Sequence, residues 1–96
     1  MKRYYVYILT NERGHVLYTG VTDDLNRRMN EHRAHIDPRS FTARYDIGKL
    51  IYYEEYGSIR DAIEREKQVK SWCRAKKVEL VTAQNPRWEE LMPREE

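Results

Sequence analysis

The chain has little of what usually staples or punctuates a small fold. It holds one cysteine, Cys73, so an internal disulfide is excluded and a packed core must hold the 96 residues together. A lone thiol also suits a reducing compartment, and the cytoplasm is the expected location. No apolar run approaches the length of a membrane span, and the first residues lack the apolar stretch of a signal peptide, so no membrane partner is expected. The four glycines make no phosphate-binding loop, since Gly14 and Gly20 stand apart. His15, His32 and His35 lack the spacing of a zinc cluster, and no cysteine pair is present to complete one. Without repeats, low-complexity tracts or a linker, residues 1–96 read as one domain, with a core over 3–82 and a terminal segment over 83–96.

Charge is unevenly spread. The net charge is +2, yet residues 87–96 set Arg87 and Arg94 against Glu89, Glu90, Glu95 and Glu96. Residues 60–77 carry seven bases against three acids. A basic body with an acidic tail permits nucleic-acid binding without demanding it.

What is abundant is tyrosine, eight in all. Tyr4–Thr10 is aromatic and β-branched, the composition of a strand. Asn11-Glu12-Arg13-Gly14 is turn material with Gly14 free to take positive φ, and His15–Gly20 reads as the returning strand. A four-residue turn places Thr10 opposite His15 and Tyr7 directly opposite Tyr18, on a face shared by Tyr5 and Gly20. The glycine then leaves open space beside two phenols. Thr22-Asp23-Asp24 caps a helix on which Leu25, Met29 and His32 form an inward stripe that includes Arg28. Ala34–Ile47, with Arg33, Arg39 and Arg44 at or within its ends, reads as a long loop, and Gly48–Tyr56 as a third strand.

Gly57-Ser58 breaks that strand, and Ser58 can cap the next helix. There Ile59, Ala62, Ile63, Val69 and Cys73 are expected to form the apolar stripe, with Glu66 standing where a hydrophobic residue belongs. A carboxylate facing a core is costly unless it is paired or binds a cation. Arg60, Lys67, Lys70, Arg74 and Lys77 form a second, basic stripe, by default a solvated face. Helix continues towards Thr82 after a break near Cys73–Ala75 and ends at Asn85-Pro86, and Trp88, Leu91 and Met92 dock the terminal segment.

Each inward polar residue has an ordinary explanation. Arg28 can snorkel from the core rim, His32 can be a hydrogen-bonded core histidine, and Glu66 can pair with Arg28 or Lys70. Taken together they suggest chemistry. One carboxylate can hold a Mg²⁺ ion that keeps several waters and also binds a phosphate, acidifying a water and stabilising a leaving oxygen. Arg28 can clamp the phosphate. A tyrosine, with pKa about 10, is a poor base unless positive charge lowers it, which Arg28 and a metal would do. Cys73 with a histidine is the weaker alternative, because Cys73 is expected on the buried stripe.

The motifs also resemble those of the GIY-YIG nucleases. Tyr5-Val6-Tyr7 and Tyr18-Thr19-Gly20 resemble the paired motif, with YVY in place of GIY. Asp24-Leu25-Asn26-Arg27-Arg28 with His32 is similar to the family's first helix, and Ala62-Ile63-Glu64-Arg65-Glu66 to the segment with its metal-binding glutamate. With Lys70, Trp72 and Asn85-Pro86-Arg87-Trp88, the chain is most similar to the small stand-alone bacterial YhbQ-like group. The resemblance implies a small α+β fold, a three-stranded antiparallel sheet flanked by helices. It implies Tyr18 as general base or water-orienting phenol, Tyr7 as its hydrogen-bonded partner, Arg28 as phosphate clamp, His32 assisting proton transfer and Glu66 holding one Mg²⁺ or Mn²⁺. Val21 stands where repair members often carry lysine, and Asn85 is the nearest counterpart of a late asparagine.

The expected function is a divalent-metal-dependent endonuclease acting on DNA, in repair or recombination. Arg27, Arg44, Lys67, Lys70, Arg74 and Lys77 would contact the nucleic acid, and a protein partner would aid targeting. A non-catalytic nucleic-acid-binding module on the same fold is the alternative, and an adaptor using the Trp88–Met92 tail is a third.

Overall fold

A computed structural model of the chain describes residues 2–34, 45 and 47–92. Three strands, β1 (Tyr4–Thr10), β2 (Leu17–Thr22) and β3 (Lys49–Tyr56), form one antiparallel sheet in the order β2-β1-β3. Helix α1 (Leu25–Arg33) follows β2, and α2 (Ile59–Lys70) and α3 (Arg74–Gln84) follow β3. The expected α+β architecture is present.

Strands flank β1 on both edges and helices cover both faces of the sheet, so Val6 to Thr10 are buried without interruption. Alternation sorts the strands onto two layers. Tyr7, Leu9 and Leu50 pack with Leu25 and Met29 of α1 and with Ile47, flanked by Tyr5, Tyr18, Tyr53 and Leu91. On the other face Ile8, Ile51 and Tyr52 pack with Val69 of α2 and Val81 of α3, flanked by Leu17, Trp72 and Trp88. Ile51 and Tyr52 share that face because the register slips between Ile8 and Leu9, a bulge that leaves Ile51 without a partner on β1.

The hairpin turn is longer than its sequence suggests. Gly14 takes φ 67° as expected, but the Asn11 side chain accepts from the amides of His15 and Val16 at 2.8 and 3.4 Å. Those amides are thereby held in the loop, and β2 begins only at Leu17, paired with Thr10. Tyr7 therefore lies opposite Gly20, and Tyr18 opposite Leu9. A two-residue shift preserves the face of every side chain, so Tyr7 and Tyr18 remain neighbours, diagonally rather than directly opposed.

Helix starts follow their caps. Asp24 accepts from Arg27 N at 3.0 Å and Ser58 from Asp61 N at 3.4 Å. Leu25, Met29 and His32 are buried as the α1 stripe predicts. The α2 stripe is narrower than expected. Ala62 and Val69 are buried and Glu66 lies between them in the same row, whereas Ile59 in the first turn and Ile63, one position off that row, are exposed. The helix stops at Ser71, so Cys73 becomes the exposed N-cap residue of α3 rather than a member of the buried stripe.

Asn85 caps α3 and ties the terminal segment to the bulge. Its Nδ2 donates to Ile51 O and Glu89 O, both at 2.9 Å, while Oδ1 accepts from Glu89 N at 3.1 Å. It thus satisfies a carbonyl of the residue that the bulge unpairs from β1. The segment then continues to Leu91, whose amide donates to Leu50 O at 2.8 Å. Removing this buried amide strands those groups, so Asn85→Ala should lower unfolding free energy by about 2 kcal/mol in urea titrations. An unchanged midpoint and slope would show that the Asn85 hydrogen bonds contribute nothing to the fold.

Candidate functional site

The site grows from the diagonal pair on the α1 face of the sheet. Tyr7 is 1% exposed, and its phenol lies across the gap opposite, where a Cβ on Gly20 would come within 2.4 Å of its hydroxyl oxygen. No real Cβ tolerates that distance, so the glycine is what lets the phenol lie there. Helix α1 brings two further groups to the same point. The Arg28 Nε–H donates to the Tyr7 hydroxyl at 3.3 Å, and His32 Nε2 lies 3.2 Å from it. The Tyr18 ring stands 6.3 Å from Tyr7 and 5.5 Å from His32, and its hydroxyl also interacts with Arg28 and Tyr7. Tyr7, Tyr18, Arg28 and His32 are thus one cluster, as expected.

Burial divides it into support and working edge. Tyr7 and His32 are buried, whereas the Arg28 side chain is 40% exposed and Tyr18 is half-buried. Burial pushes the Tyr7 phenol up to about 12, and the opposing pull of Arg28 does not overcome it. Arg28 by itself does not lower the Tyr7 phenol, which stays protonated at neutral pH. Burial and then the Arg28 charge hold the His32 pKa below its ordinary value, so the imidazole is neutral at pH 7. Hydrogen bonding to Tyr7 raises the guanidinium pKa further, and Arg28 remains charged throughout. Its Nη1 is also paired with Glu31 at 3.3 Å.

Glu66 lies in the other layer. Its side chain is 15% exposed, and its ion-pair partner is Lys70, one turn on, at 3.0 Å, not Arg28. No hydrogen bond or ion pair links it to the four-residue cluster among the described residues, and α2 packs on the sheet face opposite Tyr7. The neighbouring residue, Arg65, anchors the helix instead. Its guanidinium grips both Glu54 oxygens at 2.9 Å, and Glu54 also accepts from Tyr52 and Tyr56. This half-buried network carries no signal in helical periodicity, since Arg65 and Glu54 each read as surface charges.

The described residues hold no group of three or more His, Cys, Asp or Glu able to bind a metal together. A cation held by Glu66 would take its remaining ligands from water and phosphate oxygens. The strand face that α2 covers does bury one hydroxyl, Thr19 Oγ1, with no hydrogen-bond partner among the described residues. A lone carboxylate such as Glu66 suits only a divalent ion that keeps most of its water shell.

The basic residues do not form one stripe. Arg74 lies beyond the helix break, and its guanidinium donates to His15 O and Gly14 O at 2.8 and 2.9 Å, holding the hairpin loop. Arg27 pairs with Asp23 at 2.9 Å on the exposed face of α1. Lys67 and Lys70 remain on α2, Lys77 lies on α3, and Arg44 falls outside the described residues.

The family model described as the GIY-YIG catalytic domain matches residues 3–79. A UPF0213 protein of Syntrophus aciditrophicus is 35% identical over 86 residues, covering 90% of this chain and 97% of that one. One from Staphylococcus aureus is 32% identical, covering 84% and 96%. The solution NMR structure of a UPF0213 protein from Bacillus halodurans is similar with a TM-score of 0.57 and 31% identity, over 91% of this chain and 90% of that one.

Two outcomes test this geometry. Gly20→Ala should displace the Tyr7 phenol and cost about 2 kcal/mol of stability, whereas Gly57→Ala, where a Cβ meets nothing within 4 Å, should be tolerated. Equal urea midpoints for the two variants would refute the close approach. His32 gives the pH dependence. Its pKa is lower folded than the unfolded value of 6.5, so the unfolded chain takes the proton first. Its contribution to stability is therefore present above pH 6.5 and is lost as pH falls through the folded pKa. Urea titrations from pH 7.5 to 5 should show this loss, and His32→Gln should flatten it. A His32 NMR titration at or above 6.5 would contradict it.

Proposed function

We propose, for a chain that belongs to the GIY-YIG nuclease family, that it is a divalent-metal-dependent endonuclease hydrolysing phosphodiester bonds in DNA, with Mg²⁺ or Mn²⁺ held by Glu66. The observation that carries this reading is the hydrogen-bonded cluster of Arg28, Tyr7 and His32 with Tyr18 at its open edge. A bound divalent ion would supply Lewis-acid stabilisation of the leaving oxygen. A role in DNA repair or recombination belongs to the same reading.

The residues divide the remaining work. Arg28, fixed through Tyr7 and Glu31, offers its other N–H groups to a non-bridging phosphate oxygen and opposes the charge that grows in the transition state. Tyr18 accepts a hydrogen bond from the attacking water and aims its oxygen at phosphorus. A phenolate is not required. As the water gives its proton to Tyr18, the Tyr18 proton can pass to Tyr7 and the Tyr7 proton to Nε2 of neutral His32. Tyr7, protonated up to about pH 12, serves as a relay and a support, not as a base. Arg27, Lys67, Lys77 and Arg44 would steer the nucleic acid backbone, and a protein partner would direct the enzyme to its target.

The ion pair between Glu66 and Lys70 favours the second reading, a binding module that retains the fold without cutting. Nicking of branched, single-stranded and duplex DNA in Mg²⁺ separates the two. The intact chain should cut, and Glu66→Ala and Arg28→Ala should each lose about 100-fold in rate. Equal cutting by all three would expose a contaminant. Salt-sensitive DNA binding that survives Glu66→Ala, with no cleavage in either metal, would establish the binding module.

A further inference from the structure

We infer that Lys70 is the resident counter-ion of Glu66 and lowers the affinity of that carboxylate for a divalent cation, with which the ammonium competes. The inference rests on the reading of Glu66 as the metal ligand and goes on to ask what the metal competes with. Lys70 Nζ lies 3.0 Å from Glu66 Oε1, and no other ion-pair or hydrogen-bond partner reaches that carboxylate among the described residues. The two ends differ in exposure. The Glu66 side chain is 15% exposed and Lys70 52%, so the carboxylate is held in place while the ammonium can swing into water.

This asymmetry has a function that a simple surface pair would not need. A carboxylate in the inward row of α2, between Ala62 and Val69, would carry a desolvation cost in any metal-free protein, and the ammonium offsets it. A divalent ion brings twice the charge and a hard-oxygen preference, so it wins the carboxylate at sufficient concentration. The net affinity is lower than that of an unpaired glutamate by the strength of the pair and by repulsion from a nearby cation. Arg28, in the other layer, is likewise paired on its own helix, with Glu31 at 3.3 Å.

The test reads metal binding directly, by the water-proton relaxation enhancement of Mn²⁺ bound to the intact chain. Lys70→Gln should bind Mn²⁺ roughly fivefold more tightly than the parent, and Glu66→Gln should abolish the binding. Lys76→Gln removes the same charge from α3, where the ammonium stands over the Trp72 ring, and should leave the affinity within a factor of two. Unchanged or weaker binding by Lys70→Gln, with Glu66→Gln still abolishing it, would overturn the role of Lys70 and keep Glu66 as the ligand. Equal tightening by Lys76→Gln would also overturn it, in favour of overall charge. No Mn²⁺ binding by the parent would remove the Glu66 reading itself and this inference with it.

Discussion

The site depends on one close approach, the Tyr7 phenol lying over Gly20. A side chain any larger than hydrogen at position 20 would occupy the space of the hydroxyl. With the phenol there, one oxygen lies within hydrogen-bonding reach of both Arg28 and His32 on α1, and the helix is joined to the central strand by polar contacts as well as by Leu25 and Met29. Without it, Arg28 would lose one of its acceptors and His32 one of its partners. The conformational freedom of glycine is not what matters here. Its missing Cβ is.

Burial then assigns chemical roles that composition alone leaves open. Four polar side chains lie together, but the sheet and α1 desolvate two of them and leave two at the edge. The phenol that is buried is kept protonated, and the imidazole that is buried is kept neutral, each because water no longer supports its charged form. The guanidinium escapes this fate because its head reaches solvent and its charge is met by Tyr7 and Glu31. A neutral acceptor, a protonated relay and a permanent cation follow from depth below the surface as much as from residue type.

On the opposite face, the layer of α2 and α3 is organised by a different network. Arg65 and Glu54 bond at both oxygens, with Tyr52 and Tyr56 filling the remaining acceptor positions, so the pair is satisfied despite its partial burial. That network sets α2 against β3 and so determines where Glu66, the next residue along, can reach. The bulge at Ile51 is served from the same side, because Asn85 takes up the carbonyl of the residue left without a partner on β1. The late asparagine is thereby explained as a structural clasp joining α3, β3 and the terminal segment.

Residue type and local spacing were enough to read the strands, the caps at Asp24 and Ser58, the inward stripe of α1 and the cluster of Tyr7, Tyr18, Arg28 and His32. These are properties of period and parity. A strand alternates every residue whatever its exact pairing, so even a hairpin register wrong by two residues kept both phenols on the correct face. Other features were settled only by contacts between distant parts of the chain. The length of the hairpin turn depended on where the Asn11 side chain bonds, and the basic stripe was divided because α2 stops at Ser71 and Arg74 turns to the loop carbonyls. The same holds for Glu66. The sequence by itself identified a carboxylate out of place on an apolar row, because helical period reveals which row a residue occupies. Which sheet face that row covers, and that Lys70 is the cation it meets, were decided by tertiary packing, because a helix can dock on either side of a sheet without changing its own periodicity.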